Sequence, residues 1–185
     1  FNNYLKLHII LPQAIYGWFV DIPDININVS LNKQLILDED RKKALEGIDA
    51  FKFQFRNVSI TINHENSEYK ADLRLKGDRD IHFRERKKSS YKIELNNNET
   101  ILGMNKFSFM KPRARNYIHE WIYHQLMAEG NLIKLNYSFI NLKINGESQG
   151  LYVIEEGFDK ILIERNKRRN GPIYSIREEW AYEIN

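Results

Sequence analysis

Three cations and a glycine are spaced as a polyphosphate would require. Arg74, Lys76 and Gly77 lie close together, and Lys92 follows in a second β-like run. Over residues 69–76, Leu73 and Leu75 alternate with Asp72, Arg74 and Lys76, so the charged set shares one face of a strand. Over residues 89–95, Tyr91, Ile93 and Leu95 alternate with Ser90, Lys92 and Glu94 in the same way. If these strands pair across the intervening loop, Arg74, Lys76 and Lys92 project from one sheet face. Point charges beside the free backbone N–H groups of a loop that begins with glycine suit a triphosphate. A solvated strand face, where lysine and arginine are routine, carries the same pattern, and periodicity does not separate the two readings.

Other chemistry is thinner. A helix is predicted over residues 113–129, with Ile118, Trp121, Ile122, Gln125 and Leu126 on one apolar stripe, Tyr117, His124 and Met127 on a second, half-apolar face that would let it pack on two sides, and Gly130 as its stop. Arg115 and Glu129 stand at the two ends of that stripe, whereas Glu120 lies opposite it. A charge on an apolar stripe needs a partner or must reach water, which singles out Arg115 for a role beyond solubility. The five histidines show no metal-ligand spacing; His119 and His124 are five apart and do not share a helical face. No metal site is predicted. The absence of cysteine excludes thiolate metal sites and thiol nucleophiles. Neither a G-x-S-x-G elbow nor a G-x-x-x-x-G-K-S/T loop is present. The basic runs at 84–88 and 165–169 lack interleaved aromatics and read as solvated loops, so no nucleic acid partner is expected.

Positioning these residues falls to an α+β arrangement: an antiparallel sheet with one major packed helix. The 185 residues, 42% hydrophobic with a net charge of +3, suffice for one domain with a core. Alternation at Ile25, Ile27 and Val29 predicts a first strand, and residues 38–46 a short polar helix capped by Asp38 and stopped by Gly47. Phe51, Phe53 and Phe55, then Val58, Ile60 and Ile62, alternate with a phase slip near Arg56-Asn57 that a bulge or turn would repair. Residues 137–144 and 151–154 are strands joined around Asn145-Gly146, the strongest short hairpin signal in the chain. Phe158, Ile161 and Leu162 suggest a short helix. Residues 1–24 form a separate apolar segment, read as packed or interfacial. Its stretch 5–20 is shorter than a spanning helix needs, and membrane contact, an upstream anchor or a signal peptide would act there.

Three ordered segments carry a family resemblance. They are Arg74-Leu75-Lys76-Gly77, Lys87-Lys88-Ser89-Ser90-Tyr91-Lys92-Ile93, and the run from Leu142 through Asn145, Gly146, Gly150 and Tyr152, with Glu155 just after. Together they resemble the spore-coat-protein-H (CotH) family of divergent protein-kinase-like proteins. The resemblance implies the small, nucleotide-binding lobe of a kinase-like fold across residues 25–185. ATP and Mg2+ would be the cofactors and a protein Ser/Thr hydroxyl the acceptor. It assigns Arg74, Lys76, Gly77, Lys92, Arg115 and Glu155 to the nucleotide site, with Lys92 as the strand lysine on the phosphates. Glu155 would lead into the segment that packs on adenine, through backbone more than carboxylate. The helix glutamate that a kinase pairs with its lysine has two candidates, Glu120 and Glu129. Where the family carries small hydroxyl residues after R-x-K-G, this chain has Asp78, Arg79 and Asp80, and Ser175 replaces the lysine that often follows G-x-x-Y. The catalytic aspartates are expected beyond Asn185, so the 185 residues alone are not expected to be catalytically competent. The alternative is a non-catalytic coat or cell-surface module binding a protein or glycan; a basic nucleic-acid binder is a third, weaker reading. A bacterial surface, secreted or spore-coat location fits the family better than cytoplasm.

Overall fold

In the computed structural model, residues 22–46, 54–77, 80–85, 88–169 and 171–174 are described. Seven strands dominate: β1 (Asp24–Asn28), β2 (Val58–His64), β3 (Ser67–Leu75), β4 (Tyr91–Leu95), β5 (Lys106–Met110), β6 (Tyr137–Ile144) and β7 (Glu147–Glu156). Three α-helices accompany them among the described residues: α1 (Leu31–Leu45), α2 (His119–Glu129) and α3 (Lys160–Arg165). The strands close into a barrel in the order β1-β2-β3-β4-β5-β7-β6. Every neighbouring pair is antiparallel except β1 with β6, which run parallel and close the ring. The mixture of a sheet and few helices is as expected; the closure was not legible from strand alternation.

Period-two patterning builds the core. Ile25 and Ile27, Ile60 and Ile62, Leu73 and Leu75, Ile93, Phe107 and Phe109, Ile140 and Leu142, and Tyr152 and Ile154 all turn to one buried interior. The predicted hairpin is present, with Asn145 at φ 52° and Gly146 at φ 81°, the positive angles that a tight two-residue turn demands. Asn145 also closes the barrel. Its backbone N–H donates to Ile27 O (2.8 Å), its Nδ2 to Val29 O (2.9 Å), and its Oδ1 accepts from Val29 N–H (2.7 Å). The amide side chain thus continues the β1 ladder where the main chain has already turned away.

Two helix expectations are corrected. α1 begins at Leu31, after Ser30, and Asp38 lies in its interior, not at its cap. Its first turns were missed because Leu31 and Leu35 point to solvent and leave no amphipathic stripe. The helix is anchored instead by buried Asp40, which accepts from Arg56 N–H (2.8 Å), Nε (2.8 Å) and Nη2 (2.5 Å). The predicted single helix over 113–129 is two elements. A 3-10 turn at Pro112–Arg115 ends where Asn116 (φ 50°) and Tyr117 (φ 63°) enter the left-handed region, and α2 starts only at His119. Its orientation also differs. Ile118, Ile122 and Leu126 are exposed, Trp121 is half-buried, and His124 is the residue turned inward.

The loop after β3 is more anchored than its charges suggested. Phe83 is buried against Phe55, ring centroids 5.3 Å apart, and Arg41 Nη1 donates to the Phe83 carbonyl at 3.0 Å. The short helix near Phe158 is α3, capped by Asp159, whose carboxylate accepts from Leu162 N–H at 3.0 Å. Buried Glu156 holds it to the barrel through Arg165 and accepts from Asn136 N–H at 2.7 Å. The segment 5–20 and the Phe51/Phe53 alternation lie outside the described residues.

Candidate functional site

Strand register builds the site. Arg74 on β3 stands opposite Lys92 on β4, Lys92 opposite Ser108 on β5, Ser108 opposite Glu155 on β7, and Glu155 opposite Tyr137 on β6. Directly opposed residues share a sheet face, with strands about 4.8 Å apart. These five therefore form one row across the face turned away from the core. Arg74 and Lys92 are nearest neighbours, as the proposed strand pairing required.

Lys76 completes the group from one residue beyond β3. Its N–H donates to Ser90 O at 2.9 Å, which keeps the chain beside β4. Its Nζ reaches Glu155 Oε1 at 3.1 Å, and Arg115 Nε approaches Oε2 at 3.4 Å. The Glu155 side chain is only 9% exposed. The structure thus joins Lys76, Arg115 and Glu155 by ion pairs and sets Arg74 and Lys92 alongside. The lysine held by a carboxylate is Lys76, and the carboxylate comes from β7; Glu120 faces His124 instead (3.8 Å) and Glu129 is exposed. The Glu155 side chain, not its backbone alone, is engaged.

Electrostatically this is a crowded positive site. Burial holds the Lys92 ammonium below its ordinary range, and Arg74, Lys76 and Lys106 push it the same way against the weaker pull of Glu94. Neither Arg74 nor Lys92 makes an ion pair with a carboxylate among the described residues; Arg74 Nη1 reaches only the Leu75 carbonyl, at 3.4 Å. An anion laid along this row would relieve the repulsion.

Beside the row lies an under-satisfied polar cluster that sequence reasoning missed. Among the described residues, five of the six buried side-chain polar atoms without a hydrogen-bond partner belong to it: Arg115 Nε, both His124 ring nitrogens, Tyr137 Oη and Glu155 Oε2. His124 and Tyr137 rings lie 5.5 Å apart. Burial lowers the His124 pKa and keeps the ring neutral, although Glu120 and Glu155 act in the opposite sense. Burial, reinforced by Glu155 and Glu120, raises the Tyr137 phenol. An unsatisfied buried group costs about 1–3 kcal/mol, which makes this cluster a candidate for a role beyond packing. Counting back from Asn145-Gly146 alone would set Tyr137 opposite Ile154; the extra residue Gln149, between the Lys143–Ser148 and Leu142–Gly150 pairs, shifts it to Glu155.

Two further motif residues have packing roles in the fold. Gly77 has φ 118°, and a Cβ there would stand 2.3 Å from the His82 ring, so loop packing alone demands glycine. Tyr152 donates to Ser89 O at 3.1 Å, tying the third motif to the second inside the barrel. A shallow recess of about 510 Å3, lined in part by Asn28, Lys33, Lys70 and Asn96, holds none of the motif cations.

With this geometry in hand, the comparison with protein families is direct. A family model described as CotH kinase protein matches residues 73–183, more than half of the chain, and the chain belongs to that family. The match takes in the whole row and the α2 cluster, while β1, α1 and β2 precede it. No curated protein matches the chain.

Proposed function

We propose that this chain forms the ATP-binding part of a CotH-type protein kinase, which in complete form transfers phosphate to protein Ser/Thr hydroxyls. The observation that carries the reading is the Lys76–Glu155 pair: a lysine fixed by a buried carboxylate, with Arg74 and Lys92 beside it and without an ion-paired carboxylate among the described residues. From β2 onward the order of elements, strands then helix then hairpin then connector, supports likeness to a kinase small lobe. The donor set suits phosphate oxygens: Lys92 and Arg74 supply positive charge, and Glu155 orients Lys76. Bound Mg-ATP would supply the transferable phosphoryl group. Among the described residues no three His, Asp or Glu side chains gather as a metal-ion site, so the reading requires Mg2+-binding carboxylates from elsewhere in the complete protein.

Calorimetric titration with Mg-ATP tests it. Lys92→Ala and Lys76→Ala each remove a charge-assisted hydrogen bond of about 1.5–3 kcal/mol, which weakens binding at least tenfold. Unchanged affinity in both variants would leave the row as a structural ion-pair face and favour a non-catalytic coat or surface module.

A further inference from the structure

We propose that the C-terminal end of α2, together with the turn after α3, is a docking surface for anionic lipid bilayers. Three observations meet there. The outward ridge of α2 ends at Leu126, 65% exposed, and continues into Leu132 and Ile133, 56% and 40% exposed. Leu132 folds back over the helix end, with its side chain 3.7 Å from where a Cβ on Gly130 would stand and its N–H bonded to Met127 O at 2.9 Å. Leu132 and Ile133 therefore stand at the end of α2 that Leu126 also occupies.

The second observation is charge. Lys167, Arg168 and Arg169 are exposed, and none pairs with a carboxylate among the described residues. They adjoin the apolar residues because the two segments are stitched together. Arg168 donates to Asn131 O, Lys134 N–H donates to Asn166 Oδ1 at 3.0 Å, and Asn166 Nδ2 returns to Lys134 O at 3.0 Å. Arg165, the other cation of the run, is consumed by buried Glu156. Glu129 and Glu164 are the nearby exposed acids, and Glu164 is paired with Lys160 at 3.2 Å.

The third is the kind of apolar group. The side chains beside the cations are aliphatic, which suits insertion among acyl chains beneath phosphate headgroups. Base stacking would call for aromatics at that position. No described helix is long and apolar enough to cross a membrane. This inference does not depend on nucleotide binding.

The test is co-sedimentation of the 185-residue protein with vesicles of 70:30 phosphatidylcholine:phosphatidylserine in 0.1 M salt, with pure phosphatidylcholine vesicles as control. Binding is expected to the anionic vesicles and to fall at least tenfold on neutral vesicles and in 0.5 M salt. Two doubly substituted variants, Leu132→Asp/Ile133→Asp and Lys167→Glu/Arg169→Glu, are each expected to weaken it at least tenfold, with thermal melts confirming that both stay folded. No binding to anionic vesicles, equal binding to neutral ones, or folded variants that bind as well as the parent would overturn the proposal. Competition by a single-stranded oligonucleotide that depends on the cations but not on Leu132 and Ile133 would also overturn it, in favour of nucleic acid.

Discussion

Replacing Glu155 by glutamine tests the centre of the site with little change of shape. The carboxylate is nine-tenths buried and serves two cations, but unequally. The Lys76 contact, at 3.1 Å, is a charge-assisted hydrogen bond worth about 1.5–3 kcal/mol. Arg115 approaches at 3.4 Å without hydrogen-bond alignment and with its side chain 37% exposed, so screening holds its share below about 1 kcal/mol. The expected loss for Glu155→Gln is therefore about 2–4 kcal/mol. With a urea slope of about 2 kcal/mol/M, the unfolding midpoint should fall by about 1–2 M at unchanged slope. A double-mutant cycle with Lys76→Met isolates the pair and should return a coupling of about 1.5–3 kcal/mol, against less than about 1 for a cycle with Arg115→Met. A Lys76–Glu155 coupling below about 0.5 kcal/mol would refute the reasoning, since the two groups would then be no more than a screened surface pair.

Three further outcomes follow from single groups. His124 is held neutral by burial, so its folded pKa lies below the ordinary 6.5 and the unfolded chain binds the extra proton: stability from this group is complete above pH 6.5 and declines as pH falls below it. Stability measured from pH 7.5 to 5 should drop more steeply in the parent than in His124→Gln, and equal slopes would count against a neutral buried ring. Asn145→Ala removes two hydrogen bonds to Val29 and leaves an alanine at φ 52°, an expected cost of about 2–3 kcal/mol in chemical denaturation. Asn145→Gly should recover only the conformational part of that loss. Asp40→Asn should destabilise by about 1.5–3 kcal/mol because Arg56 loses its charged acceptor; a change within 0.5 kcal/mol or so would mean that exposed Glu39 takes over the guanidinium.

Much of the local structure was written in the sequence. Strand alternation marked β1, β2, β3 and β4, because a two-residue period needs no information beyond the segment itself. The Asn145-Gly146 turn was legible for the same reason: positive φ at two successive positions selects those residue types. Lys92 beside Arg74 required only that β3 and β4 pair across their loop. What tertiary structure decided was everything set by curvature and by competition for partners. Closure joins β1 to β6 in parallel, a pairing that no turn encodes, and the amide side chain of Asn145 completes it. α2 turned its histidine face inward and its aliphatic ridge outward, a choice between two faces that only its packing against the barrel makes. The choice of Lys76 as the carboxylate-bound lysine spans 79 residues of sequence. Strand spacing and bend determine which cation reaches Glu155, and these belong to the closed barrel and not to any one of its strands.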